Sequence, residues 1–187
     1  MVDSIRSAED VAKRVLGLLA VSVRPHKPEE IMNWYRESRI ERYLSRAELE
    51  FMNNAAPDEH SLIQFSWRAE AMVSLLWSLR GFQEMPPLTA PCNIFQSDLT
   101  HHAIQSPQAF IASASLREKE EIASMEAYLY HQHWRVRDRD LGFNNDDPGP
   151  SDPPIDELMT GLVQERRYGM SWVAGHGDDW DHVPLDT

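Results

Sequence analysis

Apolar residues recur at helical spacing along most of the chain. Val11, Val15, Leu18 and Leu19 follow Ser7-Ala8-Glu9-Asp10, a capping residue with acids in the first turn, so the first helix opens there. Pro25 and Pro28 end it, and Pro28 starts a second helical region that runs to about Leu44. Ser45-Arg46-Ala47-Glu48 reads as a capping box for a short helix that fades at Asn53-Asn54. Pro57-Asp58 restarts the chain into a long helix ending near Gly81. From Met85 to Pro107 there are four prolines and little periodicity, which predicts loop with at most a turn of helix. A further helix spans about Leu116 to Leu141, residues 142–154 form a Pro/Asp-rich loop, and a last helix spans about Ile155 to Ala174. Residues 175–187 read as an irregular C-terminal tail. No stretch alternates in the β-strand manner. The prediction is one all-α domain, residues 1–187, built as a helical bundle of five to seven helices.

The segment LIQFSWRAEAMVSLLWSL, residues 62–79, is apolar nearly all round. Twelve of its eighteen residues are apolar, and only Arg68 and Glu70 are charged. Two central charges are costly in lipid, so a membrane span is rejected. A helix apolar on every side belongs at the centre of a bundle, and this one (about residues 60–80) is expected there.

Charges fall where a core is expected. At 100° per residue, Arg68 lies between Leu75 and Leu79, and Glu70 between Ile63 and Trp77; the two should meet different neighbours. On the helix of residues 116–141, His133 and Arg137 fall inside the apolar face of Ile122, Met125, Leu129, Tyr130 and Val136. His131, Arg135 and Arg139 fall on the opposite, solvated side. On the last helix Arg166 sits mid-face and Glu165 at its edge. A buried unpaired charge costs several kcal/mol, so these groups must pair with each other, a ligand or water.

Composition narrows the partners. A net charge of −12 across 187 residues disfavours nucleic acid and anionic membrane, which need a basic face. It suits a protein partner with a basic surface. One cysteine, Cys92, forbids an intramolecular disulfide and fits a reducing cytoplasm. The N-terminus has no apolar core of a signal peptide, so a cytoplasmic location is expected.

Four stretches carry a family resemblance: WRAEAMVSLLWSL (67–79), YHQHWRVRD (130–138), QERRYGMSWV (164–173) and WDHVPLDT (180–187). In order and spacing they resemble the motifs of the domain of unknown function family 4272, a bacterial family, over roughly residues 28 to 187. The motif positions fall on Trp67, Arg68, Glu70, His133, Trp134, Arg137, Glu165, Arg166, Trp172, Trp180, Asp181 and Asp186. Gly169 and Ser171 stand where the family pattern implies Ala and Asn. The resemblance implies a helical domain, with no established activity or cofactor. It adds the tail acids Asp181 and Asp186, which no wheel reaches and which would balance the core arginines if the tail folds back.

Three readings of the charged set stand side by side. Buried Arg–Glu pairs often fix which helices pack and in what register. Arginine forks also clamp an anionic or zwitterionic small molecule in a polar pocket. Glu70 or Glu165 with His133 would make an acid–base pair, although nothing in the sequence orders them into a mechanism. The reading adopted is a non-catalytic soluble binding or interaction protein with a buried Arg/Glu/His network, the alternative being a small-molecule pocket or enzyme built on it. No cofactor motif is present: neither Gly-x-Gly-x-x-Gly nor a P-loop can be written, and there is no Gly-x-Ser-x-Gly or His-Glu-x-x-His. His176, Asp178, Asp179, Asp181 and His182 cluster in the tail and form a weak metal candidate, set against the commoner case of a solvated acidic tail.

Overall fold

A computed structural model describes residues 5–186. Helix α1 (Ala8–Val23) opens as its sequence predicts, with Ser7 Oγ accepting the Asp10 N–H at 3.1 Å. It is buried on nearly all sides, from Val11 to Ser22. Helix α2 (Pro28–Glu37) stops earlier than its pattern suggests. Arg39 takes a left-handed conformation (φ 53°), and a 3₁₀ turn, Ile40–Tyr43, follows. Helix α3 (Arg46–Asn53) carries the expected reciprocal capping box between Ser45 and Glu48.

The long central helix is not continuous. It splits into α4 (Glu59–Ser66) and α5 (Arg68–Ser78), joined at Trp67. Trp67 N–H reaches the Ile63 carbonyl, while Glu70 N–H closes a tighter three-residue turn on the Trp67 carbonyl. The two halves have different solvents. No residue of α4 is buried and Ile63 is 53 % exposed, whereas α5 is buried from Glu70 to Ser78. α5 ends in a Schellman motif: Gly81 N–H bonds the Leu76 carbonyl at 2.7 Å and Arg80 N–H bonds that of Trp77. Arg80 holds the left-handed position usually given to glycine (φ 67°), and a Cβ at Gly81 would crowd Ser97 Oγ at 2.7 Å and the Leu76 carbonyl oxygen at 3.0 Å.

One helix, α6 (Asp98–Gln105), lies in the stretch expected to be loop, preceded by a 3₁₀ turn at Ile94–Gln96; a second, α7 (Pro107–Ala112), starts at the end of that stretch, where the sequence pattern predicts no element. They are short and bury few residues, Thr100, Ala103 and Phe110, so they leave too few apolar positions for a period to register. Helix α8 (Lys119–Asp140) matches its prediction. The last helix, α9 (Thr160–Val173), starts later than expected, after a 3₁₀ turn at Ile155–Glu157. Tail residues Trp180–His182 form one more 3₁₀ turn. Among the described residues there are thus nine α-helices and no strand, more helices than predicted but the predicted all-α class.

One core runs from Val11 to Val183, with α5 packed between α1 and α9, and α8 against the outer side of α9. The α5–α9 contact is close because small residues face it. Ala71, Ser74 and Ser78 of α5 are fully buried, and Ser74 Oγ donates to the Arg166 carbonyl at 2.7 Å. Gly169 lies directly on the Ala71 backbone. None of the helices among the described residues is long and apolar enough to cross a membrane.

Candidate functional site

The α5–α9 contact carries two ion pairs, one closed and one open at its edge. Arg166 is fully buried. Its Nε donates to Glu70 Oε2 at 2.8 Å, its Nη2 lies 2.7 Å from the same oxygen, and its Nη1 donates to the Pro86 carbonyl at 2.9 Å. Glu70 Oε1 accepts the Cys92 N–H at 2.9 Å, so a loop without regular structure completes the pair. Beside it, Arg68 Nη1 donates to both oxygens of Glu165, at 3.1 and 3.3 Å, and its guanidinium lies over the Tyr168 ring. This pair is half-buried. Burial pushes the Glu165 carboxyl above its usual range and neighbouring Glu70 adds to the effect, with Arg68 opposing both. Arg68 and Glu70 do meet different partners, but both partners lie on α9.

The second group joins α8, α9 and the tail. Arg167 Nη1 donates to His133 Nδ1 at 2.6 Å and to the Leu185 carbonyl at 3.1 Å, and its Nη2 donates to the Asp186 carbonyl at 2.8 Å. His133 is 3 % exposed. Burial, then the charges of Arg167 and Arg137, bring its pKa down to about 4. With Nδ1 accepting, the neutral ring carries its proton on Nε2.

The wheel for α8 fails for two arginines. Arg137, placed in the core by the sequence, is exposed. Arg135, placed in solvent, is 1 % exposed. The reason is the loop of residues 142–154, which folds back over the supposedly solvated side. Arg135 binds both oxygens of Asp146 (2.6 and 3.1 Å), Gln132 Oε1 and the Pro153 carbonyl. Asp152 completes the clasp through Gln132 at 2.7 Å and His131 at 3.2 Å. Arg139 is half-buried and tied to the carbonyls of Ile155 and Leu158.

The tail folds back, but its acids do not neutralise core arginines. Asp181 Oδ2 accepts the Ala47 N–H at the start of α3 at 3.1 Å, and the Asp186 side chain is exposed. Trp180 is buried edge-on against Tyr168 and Trp172, and its carbonyl accepts the Tyr168 hydroxyl. Arg14 lies over the other side of the Trp180 ring and pairs with buried Glu48. Trp67 is half-buried at the α4–α5 junction, and Trp134 is half-buried beside His131.

The buried charges Arg14, Arg24, Glu48, Arg135, Asp138 and Arg167 were not anticipated. Arg14 stands three after Val11 and four before Leu18, inside the apolar stripe of α1, so the same wheel marks it. Arg135 has no such signal, because a loop rather than a helix covers it.

The histidines and acids of the tail separate into small contacts. His182 Nδ1 faces Asp179 Oδ1 at 2.8 Å, and His176 faces Glu126 at 3.9 Å. Among the described residues no group of three or more His, Cys, Asp or Glu side chains is arranged to hold a metal ion.

Two of these ion pairs, Arg68–Glu165 and Glu70–Arg166, are made entirely of residues that carry the sequence motifs. The chain belongs to the family "Domain of unknown function (DUF4272)", whose model matches residues 2–183. That match includes α1, which the motif resemblance left out. No curated protein and no solved structure matches the chain.

Proposed function

We propose that this is a non-catalytic, soluble binding protein of the cytoplasm whose internal ion pairs hold its helices in register while its surface recognises a basic protein partner. One observation carries the reading. Among the described residues five arginines are buried (Arg14, Arg24, Arg135, Arg166 and Arg167) against three carboxylates (Glu48, Glu70 and Asp138). The surface is therefore more negative than the chain's net −12. The buried arginines end on carboxylates, carbonyls and His133 of the same chain, which supports a scaffolding role for them. The acid–base reading gains no support from hydrogen bonding: Glu70 and Glu165 bond Arg166, Cys92 and Arg68, and His133 bonds Arg167.

The test is capture of partners from native lysate, followed by titration of the purified pair. A stoichiometric partner whose association slows and weakens as salt rises is the expected result, because screening shortens to about 8 Å at physiological ionic strength. Recovery of the protein alone at low salt overturns the proposal. The small-molecule reading is favoured by a different observation, the exposed Arg137.

A further inference from the structure

Arg137 is the shared wall of two hollows, one between α8, α9 and the tail and one at the C-terminal end of α8. The first, of about 260 Å³, is lined by His133, Arg137, Gln164, Leu185 and Asp186. The second, of about 120 Å³, is lined by Trp134, Arg137, Asp138, Leu141 and Phe143. One is polar and the other largely apolar, and a single guanidinium lies between them.

Three details give this place the character of a built site. Neighbouring Arg135 and Arg139 pair with Asp146 and Asp140, whereas Arg137 has no carboxylate partner among the described residues. His133 is 3 % exposed and lines the first hollow; Arg167 occupies its Nδ1, which leaves Nε2 as the ring nitrogen with no hydrogen-bond partner among the described residues. Leu141 and Phe143 are 58 % and 64 % exposed, although large apolar side chains are stabilised by burial. Asp138, the acid of the apolar hollow, already accepts from Asn145 N (2.6 Å) and Nδ2 (3.0 Å).

We propose that the two hollows form one site for a small monocarboxylate with an apolar or aromatic body. Its carboxylate accepts hydrogen bonds from the Arg137 guanidinium and His133 Nε2–H, and its body covers Trp134, Leu141 and Phe143. A guanidinium fork and a neutral imidazole N–H are both donors, which suits an acceptor-only group. Asp186 at the rim of the polar hollow and Asp138 in the apolar one set the charge limit: a second negative charge on the ligand meets a carboxylate on either side. Dicarboxylates and phosphate are therefore disfavoured. This inference goes beyond the basic-partner reading and does not depend on it.

The experiment is a titration of the full chain with phenylacetate and with hexanoate, followed by amide and indole N–H signals in NMR. Hexanol and inorganic phosphate serve as controls. Saturable shifts at the Trp134 indole and around Arg137 with the two carboxylates are expected, with neither control reproducing them. Arg137→Gln should weaken binding at least about tenfold, or about 1.4 kcal/mol, and Leu141→Asp should weaken it similarly. Arg137 is exposed, so its replacement leaves the fold intact, which an unchanged melting curve verifies. Arg36→Gln, remote on α2, should bind as the wild type does. Lack of saturable binding by either carboxylate up to about 10 mM overturns the proposal. So does binding that survives Arg137→Gln, or phosphate binding at the same place with equal strength.

Discussion

Gly169 of α9 rests on the backbone of Ala71 of α5. A Cβ at position 169 would come 3.0 Å from the Ala71 carbonyl carbon and closer still to its oxygen. Alanine is better than glycine in an exposed helix by about 1 kcal/mol. Here overpacking, worth about 1–3 kcal/mol, acts against it, and backbone cannot rotate aside as a side chain can. Gly169→Ala is expected to lower stability by about 1–2 kcal/mol in urea denaturation. An unchanged or raised midpoint would show that the helices separate freely at this crossing.

The pair between Glu70 and Arg166 sits in the same contact, fully desolvated. Glu70→Gln or Arg166→Met alone leaves the opposite charge stranded and should cost about 3–5 kcal/mol. The double variant Glu70→Leu/Arg166→Met removes both charges and should be less destabilised than the two singles added together. Chemical denaturation of the four proteins measures the coupling. Additive losses would mean that the two side chains do not depend on one another.

His133 makes stability depend on pH. The unfolded chain takes up a proton on this ring near its ordinary pKa of 6.5, while the folded chain holds it neutral down to about pH 4. The unfolded state therefore binds more protons in that window, and stability falls as pH drops from 6.5 to 4 by about 3 kcal/mol from this residue. Glu165, with its carboxyl pushed upward by burial, acts in the opposite sense near the acid end. Comparing wild type with His133→Gln isolates the histidine. The variant should show a flatter stability profile between pH 4 and 6.5, and parallel profiles would assign the dependence elsewhere.

Arg135 is the clasp of the loop over α8. Arg135→Met removes the donors to Asp146, Gln132 and the Pro153 carbonyl together. Limited proteolysis should then cut within residues 142–154 several-fold faster than in wild type, with the helices intact by circular dichroism. Equal cutting rates would show that the prolines alone hold the loop.

The tail is anchored by Trp180 and Asp181 with different strengths. Trp180→Ala empties a site bounded by Tyr168, Trp172 and Arg14 and should cost about 3–5 kcal/mol. Asp181→Ala removes only an acceptor at the start of α3 and should cost about 1 kcal/mol. Thermal melts of both variants test the ranking, and reversed losses would make the carboxylate the main anchor.

The all-α class, the caps of α1 and α3 and the length of α8 were legible because each rests on local chemistry: Ser7, the Ser45–Glu48 box, a long periodic run. The burial of Glu70, His133 and Arg166 was legible too, since each interrupts an apolar stripe that a helix must bury. Three features were not. The break at Trp67 follows from α4 leaving the core, and nothing in an all-apolar run marks where packing stops. Helices α6 and α7 are too short to show a period. Arg135 and Arg137 exchanged places because the wheel assumes that one side of a surface helix meets water, whereas a loop eleven residues on in sequence covers it at Asp146. Asp181 and Asp186 were expected to balance core arginines, but the tail docks through its backbone carbonyls on Arg167 and through Asp181 at the start of α3.

Cys92 N–H and the Pro86 carbonyl, both in irregular chain, supply the last hydrogen bonds to Glu70 and Arg166. The proline-rich segment is thus a ligand of the core charges, and its closure and their desolvation are one event. Opening the loop would return both ions to water, so the Cys92 amide hydrogen should exchange far more slowly than the exposed amides beside it, close to the rate of global unfolding.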